Sequence, residues 1–229
     1  MRTACFVDGY NVFYGLVAGT RYKWLDLPAL LKHILRVEQP DCELKAISFF
    51  TSGVKPSLAS RGNLSKEAQD AYLRALIAQG VDVHYGRHQL EPRNAPRFVN
   101  KQTPPSRLDQ VGIWKLEEKE TDVHIAISMY RLAARQVRLP ADERIQQLIL
   151  VSADTDLTPA LKAIREDFPD LRLGVILPHR EGMQRTPPGS LRNNAHWMRQ
   201  VVTESELAAN QFPDRVPTRK RPALKPAYW

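Results

Sequence analysis

The chain contains only two cysteines, Cys5 and Cys42, among its 229 residues. Two cysteines allow neither a disulfide framework nor a zinc site built from cysteines, and the segment 86–110 contains none, which excludes a zinc knuckle there. Both cysteines lie in or near strand-like segments, where a reduced and buried thiol is the ordinary state. We therefore expect a protein of the reducing cytoplasm.

Long apolar runs are also missing. No stretch reaches the roughly 20 residues that a membrane-spanning helix needs, and the first apolar run stops at Asp8, so we expect neither a membrane span nor a secretory signal. Acidic residues are outnumbered, with 25 Asp and Glu against 33 Lys and Arg, which gives a formal net charge of +8. This balance favours an anionic partner, nucleic acid above all, although part of the charge lies beyond residue 212.

Apolar strand-like runs alternate with helical periods along most of the chain. Strands are predicted at 3–7, 44–50, 81–85, 146–151 and 171–177, and helices at 27–37, 65–79, 119–135, 157–167 and 190–201. Alternation without an internal repeat predicts one α/β domain over residues 1–203, an open and mainly parallel sheet flanked by helices in three layers. Residues 204–229 are rich in proline and basic residues, which predicts a flexible tail.

The segment 86–110 interrupts this alternation. It is rich in Pro, Arg and Asn, which predicts a long irregular loop of a kind that is often functional. Five basic residues are candidates for an RNA-binding rim, and Tyr85 and Phe98 are candidates for stacking on bases. The rim residues are Arg87, Arg93, Arg97, Lys101 and Arg107. An ordinary solvated basic loop is the alternative interpretation.

Four aspartates stand where predicted strands end or a helix begins. Asp8 follows the first strand, Asp154 and Asp156 follow the fourth, and Asp122 starts the helix after the long loop. A parallel sheet gathers such positions at its carboxyl edge. Close carboxylates repel each other by roughly 4 kcal/mol at 4 Å in an effective dielectric near 20. A divalent cation, which takes oxygen ligands, offsets that repulsion, so the pattern predicts a metal site.

Each aspartate also has a purely structural explanation. The segment Asp8–Asn11 is typical of a turn, Asp122 suits a helix N-terminus, and Asp156 or Thr158 suits a helix cap. Capping explains one residue of the pair Asp154 and Asp156 but hardly both. Four polar residues are candidates for supporting roles through an amide, two hydroxyls and an ammonium group. They are Asn11, Ser152, Thr155 and Lys119.

The run 148–158 resembles the Asp-x-Asp-x-Thr motif of haloacid-dehalogenase-like phosphotransferases. In that family the first aspartate is a nucleophile and the second a general acid and base. The family's motif opens its domain, whereas here only the last third of the chain follows. No later acidic pair completes the family's metal site, so this resemblance is weak.

Three segments taken in order, 6–11, 118–123 and 151–159, resemble the motifs of NYN domains of the PIN-like nuclease superfamily, in the LabA-like branch. The resemblance covers roughly residues 1–201. It implies a Mg²⁺- or Mn²⁺-dependent endoribonuclease acting on RNA, with single-stranded RNA the better guess. Two positions depart from the family's pattern, because Ala153 stands where glycine is frequent and His196 where an aspartate is expected. The residues implied as both catalytic and metal-binding are Asp8, Asp122, Asp154 and Asp156.

Two other functions stay open at this point. A non-catalytic RNA-binding or protein-interaction module could keep the fold, and a metal-dependent phosphatase could use the same carboxylates. Because PIN-like domains often pair, a homodimer is a further possibility. The sequence does not distinguish these possibilities, because all of them use the same predicted sheet and differ only in substrate or partner.

Overall fold

The computed structural model describes residues 1–183 and 186–229. Its ten strands are β1 Arg2–Asp8, β2 Glu43–Thr51, β3 Asp82–Tyr85, β4 Arg87–Pro96, β5 Gln110–Lys119, β6 Gln147–Val151, β7 Arg172–Ile176, β8 Trp197–Arg199, β9 Arg215–Val216 and β10 Ala223–Leu224. Its seven α-helices are α1 Gly9–Val12, α2 Leu27–Glu38, α3 Asn63–Ala78, α4 Thr121–Gln136, α5 Thr158–Asp167, α6 Gly189–Asn194 and α7 Glu204–Ala209. None of the helices in these two ranges is long and apolar enough to cross a membrane.

Six strands form one sheet in the order β3-β2-β1-β6-β7-β8, and every neighbouring pair is parallel. Helices cover both faces, so the predicted three-layer α/β architecture is confirmed. Alternation along β1 separates the two cores: Cys5 and Val7 face the core formed with α2 and α3, while Ala4 and Phe6 face the core formed with α4 and α5.

The predicted helix at 190–201 is half right. Helix α6 ends at Asn194, and Trp197–Arg199 forms the sixth strand of the sheet beside β7. A strand of three residues is too short to show a period-2 pattern. Its place is fixed by packing, because the Trp197 ring occupies the space above Gly174, where an added Cβ would lie 2.5 Å from it.

The predicted loop at 86–110 is wrong. Strands β4 and β5 pair as an antiparallel ribbon from Arg87 opposite Lys119 to Pro96 opposite Gln110, and only 97–109 connect them. Each strand of a two-stranded ribbon has a free edge, where a proline without an N–H is tolerated. Since the ribbon is largely exposed, it lacks the apolar alternation that predicts a strand. The following helix accordingly begins at Thr121 and not at Lys119.

The C-terminal segment 204–229 differs from the flexible tail that its composition predicts. Thr203 caps α7 in a capping box with Glu206, and β9 pairs with β10. The Trp229 ring lies 6.1 Å, centroid to centroid, from both Trp24 and Tyr72. A few apolar side chains therefore hold this segment against the core. The average composition of the segment is polar, so it does not show these individual contacts.

We expect Trp229→Ala to lower the free energy of unfolding by about 2 kcal/mol, below the loss for a fully buried tryptophan because this ring is only half-buried. Urea unfolding followed by circular dichroism measures the change. Trp114→Ala is the matched control, because 68% of that side chain is exposed, and it should stay within about 0.5 kcal/mol of wild type. Equal stabilities of the two variants would show that the C-terminal contact does not hold the fold.

Candidate active site

The Asp8 carboxylate forms the buried centre of the site. It ends β1, caps α1 and is only 3% exposed. Its Oδ1 accepts the Asn11 backbone N–H at 3.0 Å, and its Oδ2 accepts the Asn11 side-chain amide at 2.6 Å and the Ser152 hydroxyl at 2.9 Å. Burial raises the pKa of Asp8, and these hydrogen bonds oppose that rise.

Asn11 and Ser152 join the ends of β1 and β6. The Asn11 side-chain oxygen accepts the Ala153 N–H at 3.2 Å, and the fully buried Ser152 hydroxyl accepts the Asp154 N–H at 3.0 Å. Both residues were predicted to support the site, and both contact Asp8. A plain turn at Asp8–Asn11 explains the hydrogen bond from the Asn11 backbone N–H to Asp8. It does not explain the hydrogen bonds that Ser152 and Ala153 donate from the end of β6.

Asp154 and Asp156 have different roles in the loop after β6. The Asp154 side chain caps the short 3-10 turn Thr155–Leu157 by accepting the Asp156 N–H at 2.9 Å. The N-cap of helix α5 is Leu157 and no side chain caps it, so the alternative that Asp156 or Thr158 caps a helix is wrong. Asp156 and Thr155 are both exposed, so their side chains face solvent at the rim of the site.

Asp122 completes the group of aspartates from the first turn of α4. Its pKa is raised to about 6, first by partial burial and then by repulsion from Asp154, Asp8, Glu118 and Asp156. A carboxyl group responds in this way only to charges that lie close to it. The structure thus brings all four predicted aspartates into one electrostatic cluster, as expected for strand ends and a helix start at one sheet edge.

Glu118 is a fifth carboxylate that the sequence did not single out as a site residue. Its Oε1 accepts the Ser52 hydroxyl at 3.0 Å and the Thr121 hydroxyl at 2.6 Å. It also raises the pKa of Asp8, after burial, and that of Asp122. The signal was its position four residues before Asp122, but residues 111–118 were assigned to no strand, helix or loop.

Positive charge does not balance the cluster from within the described chain. Lys119, predicted as a supporting residue, places its ammonium 2.5 Å from Oε2 of Glu117. In residues 1–183 and 186–229 no Lys, Arg or His forms an ion pair with Asp8, Asp122, Asp154 or Asp156. Within these two ranges, therefore, no basic side chain neutralises the four aspartates.

The predicted basic rim lies on the ribbon β4–β5 and its connection. Arg87 pairs with Glu120 at 2.5 Å, Arg97 with Asp109 at 3.0 Å, and Arg93 lies 3.7 Å from Glu91. Lys101 and Arg107 are exposed in the connection 97–109. The rim residues thus share one projecting ribbon, and three of them already face carboxylates there.

Oxygen donors of this kind suit Mg²⁺ or Mn²⁺. Among the described side chains, however, no group of three or more His, Cys, Asp or Glu is drawn close enough together to hold a metal ion. The donor chemistry and the uncompensated charge fit a divalent cation, while the carboxylates stand farther apart than ligands do.

Glu120 sets the direction of the chain between Glu118 and Asp122. Its φ is 77°, and it is the only non-glycine residue with positive φ in the described part of the chain. For a residue with a Cβ this left-handed conformation costs about 1–2 kcal/mol. The sharp turn lets β5 end and α4 begin within one residue, with Glu118 and Asp122 on either side.

Known proteins are similar to this chain over most of its length. The family model described as NYN domain matches residues 2–196. Among curated proteins, 6-hydroxy-3-succinoylpyridine 3-monooxygenase HspA of Pseudomonas putida (strain DSM 28022 / S16) is 33% identical over 247 aligned positions. That alignment covers all of this chain and 75% of the relative.

Among solved structures, this chain is similar to the crystal structure of VPA0982, a protein of unknown function from Vibrio parahaemolyticus RIMD 2210633. The TM-score is 0.51 at 15% sequence identity, and the match covers 89% of this chain and 93% of that one. At this identity the likeness concerns the fold alone.

We expect Asp122→Asn to stabilise the metal-free protein above pH 6. The pKa of this group rises from 3.8 to about 6 on folding, so the unfolded chain loses its proton first and stability falls as pH rises through that window. Because the side chain is exposed on one side, solvent screening reduces the gain to about 1 kcal/mol. Thermal melts in EDTA at pH 8, 5 and 4 should show the gain, its decline and its loss.

Asp142→Asn is the control for that measurement, since Asp142 is exposed and lies outside the cluster. It should not change the melting temperature at any of the three pH values. An Asp122→Asn gain that is the same at pH 4 and pH 8 would contradict a cluster of repelling carboxylates.

We expect Glu120→Gly to be more stable than Glu120→Gln by about 1 kcal/mol, because glycine adopts a φ of 77° without strain. Both variants lose the exposed ion pair with Arg87, so that loss cancels in the comparison. Chemical denaturation of the two variants measures the difference. Equal stability, or a more stable Gln variant, would show that position 120 stores no strain.

Proposed function

Since this chain belongs to the NYN domain family, with a PIN-like α/β fold, we propose that it is a metal-dependent ribonuclease that hydrolyses phosphodiester bonds within single-stranded RNA. The observation that carries the proposal is the geometry of the sheet edge, where Ser152 donates to Asp8 and accepts the Asp154 N–H, so that aspartates from two strand ends meet. Partial burial and repulsion from the other three aspartates, which raise the pKa of Asp122, support it. A structural role for any one aspartate does not require the other three to be near it.

In this proposal Asp8, Asp122, Asp154 and Asp156 hold Mg²⁺ or Mn²⁺. When bound, such an ion lowers the pKa of a water molecule and stabilises negative charge on a phosphate. The gain from relieving the carboxylate repulsion contributes to binding of the ion. Glu118 adds a fifth negative charge close by, held by the Ser52 and Thr121 hydroxyls.

Asn11 and Ser152 position Asp8 in this mechanism. Their three hydrogen bonds favour the ionised carboxylate over the protonated one, and so oppose the effect of burial. They also fix the orientation of both carboxylate oxygens before any ligand arrives. Supporting contacts of this kind typically contribute 10–100-fold to metal affinity or activity.

The ribbon β4–β5 supplies charge for the RNA backbone. Arg87, Arg93 and Arg97 form exposed ion pairs, which contribute little to stability and exchange readily for a phosphate. Lys101 and Arg107 are exposed in the same connection. In this arrangement the ribbon contacts phosphates and the sheet edge performs the reaction.

A second candidate follows from the name of the relative HspA, which describes oxygenation of a substituted pyridine. One observation favours an aromatic substrate for this chain as well. Several aromatic rings line a cavity, and the first of its lining residues, Gly9, follows Asp8 in the chain. Oxygenation needs a reductant and dioxygen. Formation of a hydroxylated product from a hydroxypyridine in the presence of NADH and air, insensitive to Asp154→Asn, would favour this candidate over the nuclease.

We expect the purified protein to cleave single-stranded RNA with Mg²⁺ or Mn²⁺ and not in EDTA. Asp154→Asn should fold, since its amide oxygen still caps the turn by accepting the Asp156 N–H, and should lose at least about 100-fold of the cleavage rate. Gel analysis of an end-labelled RNA measures both rates. Asp142→Asn, outside the cluster, should cleave at the wild-type rate.

Three outcomes would reject the ribonuclease. Equal trace cleavage by wild type and Asp154→Asn would identify a contaminant. RNA binding without cleavage, indifferent to EDTA and to Asp154→Asn, would assign a non-catalytic binding module. Metal-dependent hydrolysis of p-nitrophenyl phosphate, with RNA left intact, would assign a phosphatase.

A further inference from the structure

A cavity of about 250 Å³ lies beside α1, between the helical turn that follows it, α3 and the C-terminal residues. This volume is below the roughly 300–1,000 Å³ of pockets that enclose drug-sized ligands, and so suits a single ring system. Aromatic side chains dominate its wall. They include Tyr10, Phe13, Tyr14, Tyr72, Tyr228 and Trp229.

Two residues that line the cavity come directly after the central carboxylate of the acidic cluster in the chain. Gly9 and Tyr10 line the cavity, and they follow Asp8 directly in the chain. The Tyr10 hydroxyl lies 2.8 Å from Nε2 of His88, and burial together with the nearby Glu118 carboxylate raises the pKa of that hydroxyl. Tyr10 therefore joins the cavity wall to His88 on β4, and Gly9 and Tyr10 connect the cavity to the chain segment that holds Asp8.

Two rings at the cavity mouth are exposed. Tyr14 leaves 61% of its surface to solvent and Phe13 leaves 39%. Both belong to a π-helical turn, Phe13–Val17, and such turns are frequent at functional sites. The Tyr14 ring lies 6.0 Å from Tyr10 and 5.1 Å from Phe13. Exposed rings in such a group can serve as a platform for a flat ligand.

Positive charge stands at the same cavity. Lys23 and Arg61 line it, and the Arg61 guanidinium lies 4.6 Å from the centroid of the Tyr228 ring. Within 1–183 and 186–229, neither Lys23 nor Arg61 forms an ion pair with an acidic side chain. A ligand with a flat ring and an anionic group could contact both the aromatic rings and the basic side chains of this wall.

We propose that the cavity binds one nucleotide of single-stranded RNA, with its base stacked on Tyr14 and its phosphate at Arg61. This assignment rests on the proposed ribonuclease function and adds to it a base-binding subsite beside the acidic cluster. A nucleotide suits the position because an RNA strand with one phosphate at the carboxylates must place a neighbouring base close by. Base stacking on an aromatic ring is tolerant of sequence, so the subsite holds the strand without selecting one base.

The test measures RNA binding with cleavage disabled. Asp154→Asn protein in EDTA is titrated with 5′-labelled single-stranded RNA, and fluorescence anisotropy reports the dissociation constant. Adding Tyr14→Ala should weaken binding about tenfold, whereas Tyr14→Phe should keep it, because stacking needs the ring and not the hydroxyl. Arg61→Ala should reduce the slope of log affinity against log salt by about 1, because it removes one phosphate contact.

Trp114→Ala is the matched control, since that ring is also exposed but lies on the ribbon β4–β5. Because the ribbon contacts phosphates and not bases in the proposed function, Trp114→Ala should weaken binding far less than Tyr14→Ala does. A tenfold loss in Trp114→Ala with none in Tyr14→Ala would move base binding to the ribbon and overturn the proposal. Tyr14→Ala should retain the melting temperature of its parent, because its side chain is exposed, so a loss of binding is not a loss of folding.

An abasic oligonucleotide of the same length separates the base from the phosphates. The Tyr14→Ala penalty should vanish with this ligand, while the Arg61→Ala change in salt slope should persist. A penalty that persists without bases would overturn the stacking assignment. Pyridine-3-carboxylate tests for a free small molecule in its place: binding tighter than that of the RNA, and lost in Tyr14→Ala, would overturn the nucleotide.

Failure of this proposal is distinguishable from failure of the ribonuclease. If wild type cleaves RNA but Tyr14→Ala and Arg61→Ala neither weaken binding nor slow cleavage, the nuclease stands and the base-binding subsite is rejected. If no metal supports cleavage but Tyr14→Ala still weakens RNA binding tenfold, the subsite stands and the nuclease is rejected.

Discussion

The site depends on how one buried carboxylate is satisfied. Asp8 is 3% exposed, and a buried ionised group costs several kcal/mol unless hydrogen bonds replace its water. The structure meets this requirement from two strand ends, with Asn11 just after β1 and Ser152 just after β6. The parallel register makes the second bond possible, because Val7 lies opposite Val151 and the next residues are Asp8 and Ser152. Sheet pairing thus places the polar support of the site.

The same register concentrates negative charge. Once Asp8 and Ser152 are neighbours, Asp154 stands two residues away, and the turn at Glu120 brings Asp122 and Glu118 to the same edge. Partial burial and then this repulsion raise the pKa of Asp122, and the described chain offers no ion pair to relieve it. The strained backbone at Glu120 and the repulsion at Asp122 both lower the free energy of unfolding, and both lie at the same edge of the sheet. This concentration, and not any single aspartate, distinguishes the edge from a set of helix caps.

Sequence reasoning succeeded where burial imposes a pattern and failed where it does not. The five predicted strands all belong to the parallel sheet, and Asp8 and Asp154 were found because each follows a buried strand. The ribbon β4–β5 was missed because its exposed strands need no apolar alternation, and Glu118 was missed with it. Strand β8 is too short for a period, and the C-terminal segment is held by isolated anchors such as Trp229. Strand β8 and the C-terminal segment are held by contacts with residues distant in the sequence, and the local composition of a segment does not reveal such contacts.

Helix α1 connects the two halves of the proposed substrate site. On a helix, residues three and four apart share a face, so Tyr10, Phe13 and Tyr14 lie together on the cavity side. Asn11 points elsewhere and holds Asp8. One turn of chain therefore presents an amide to the carboxylates and aromatic rings to the cavity. The short distance between Asp8 and Tyr10 along the chain fixes the spacing between the charged and the aromatic part of the site. With a divalent cation held by the carboxylates, a ligand that uses both parts would need a phosphate group close to its ring, as a nucleotide in a strand has.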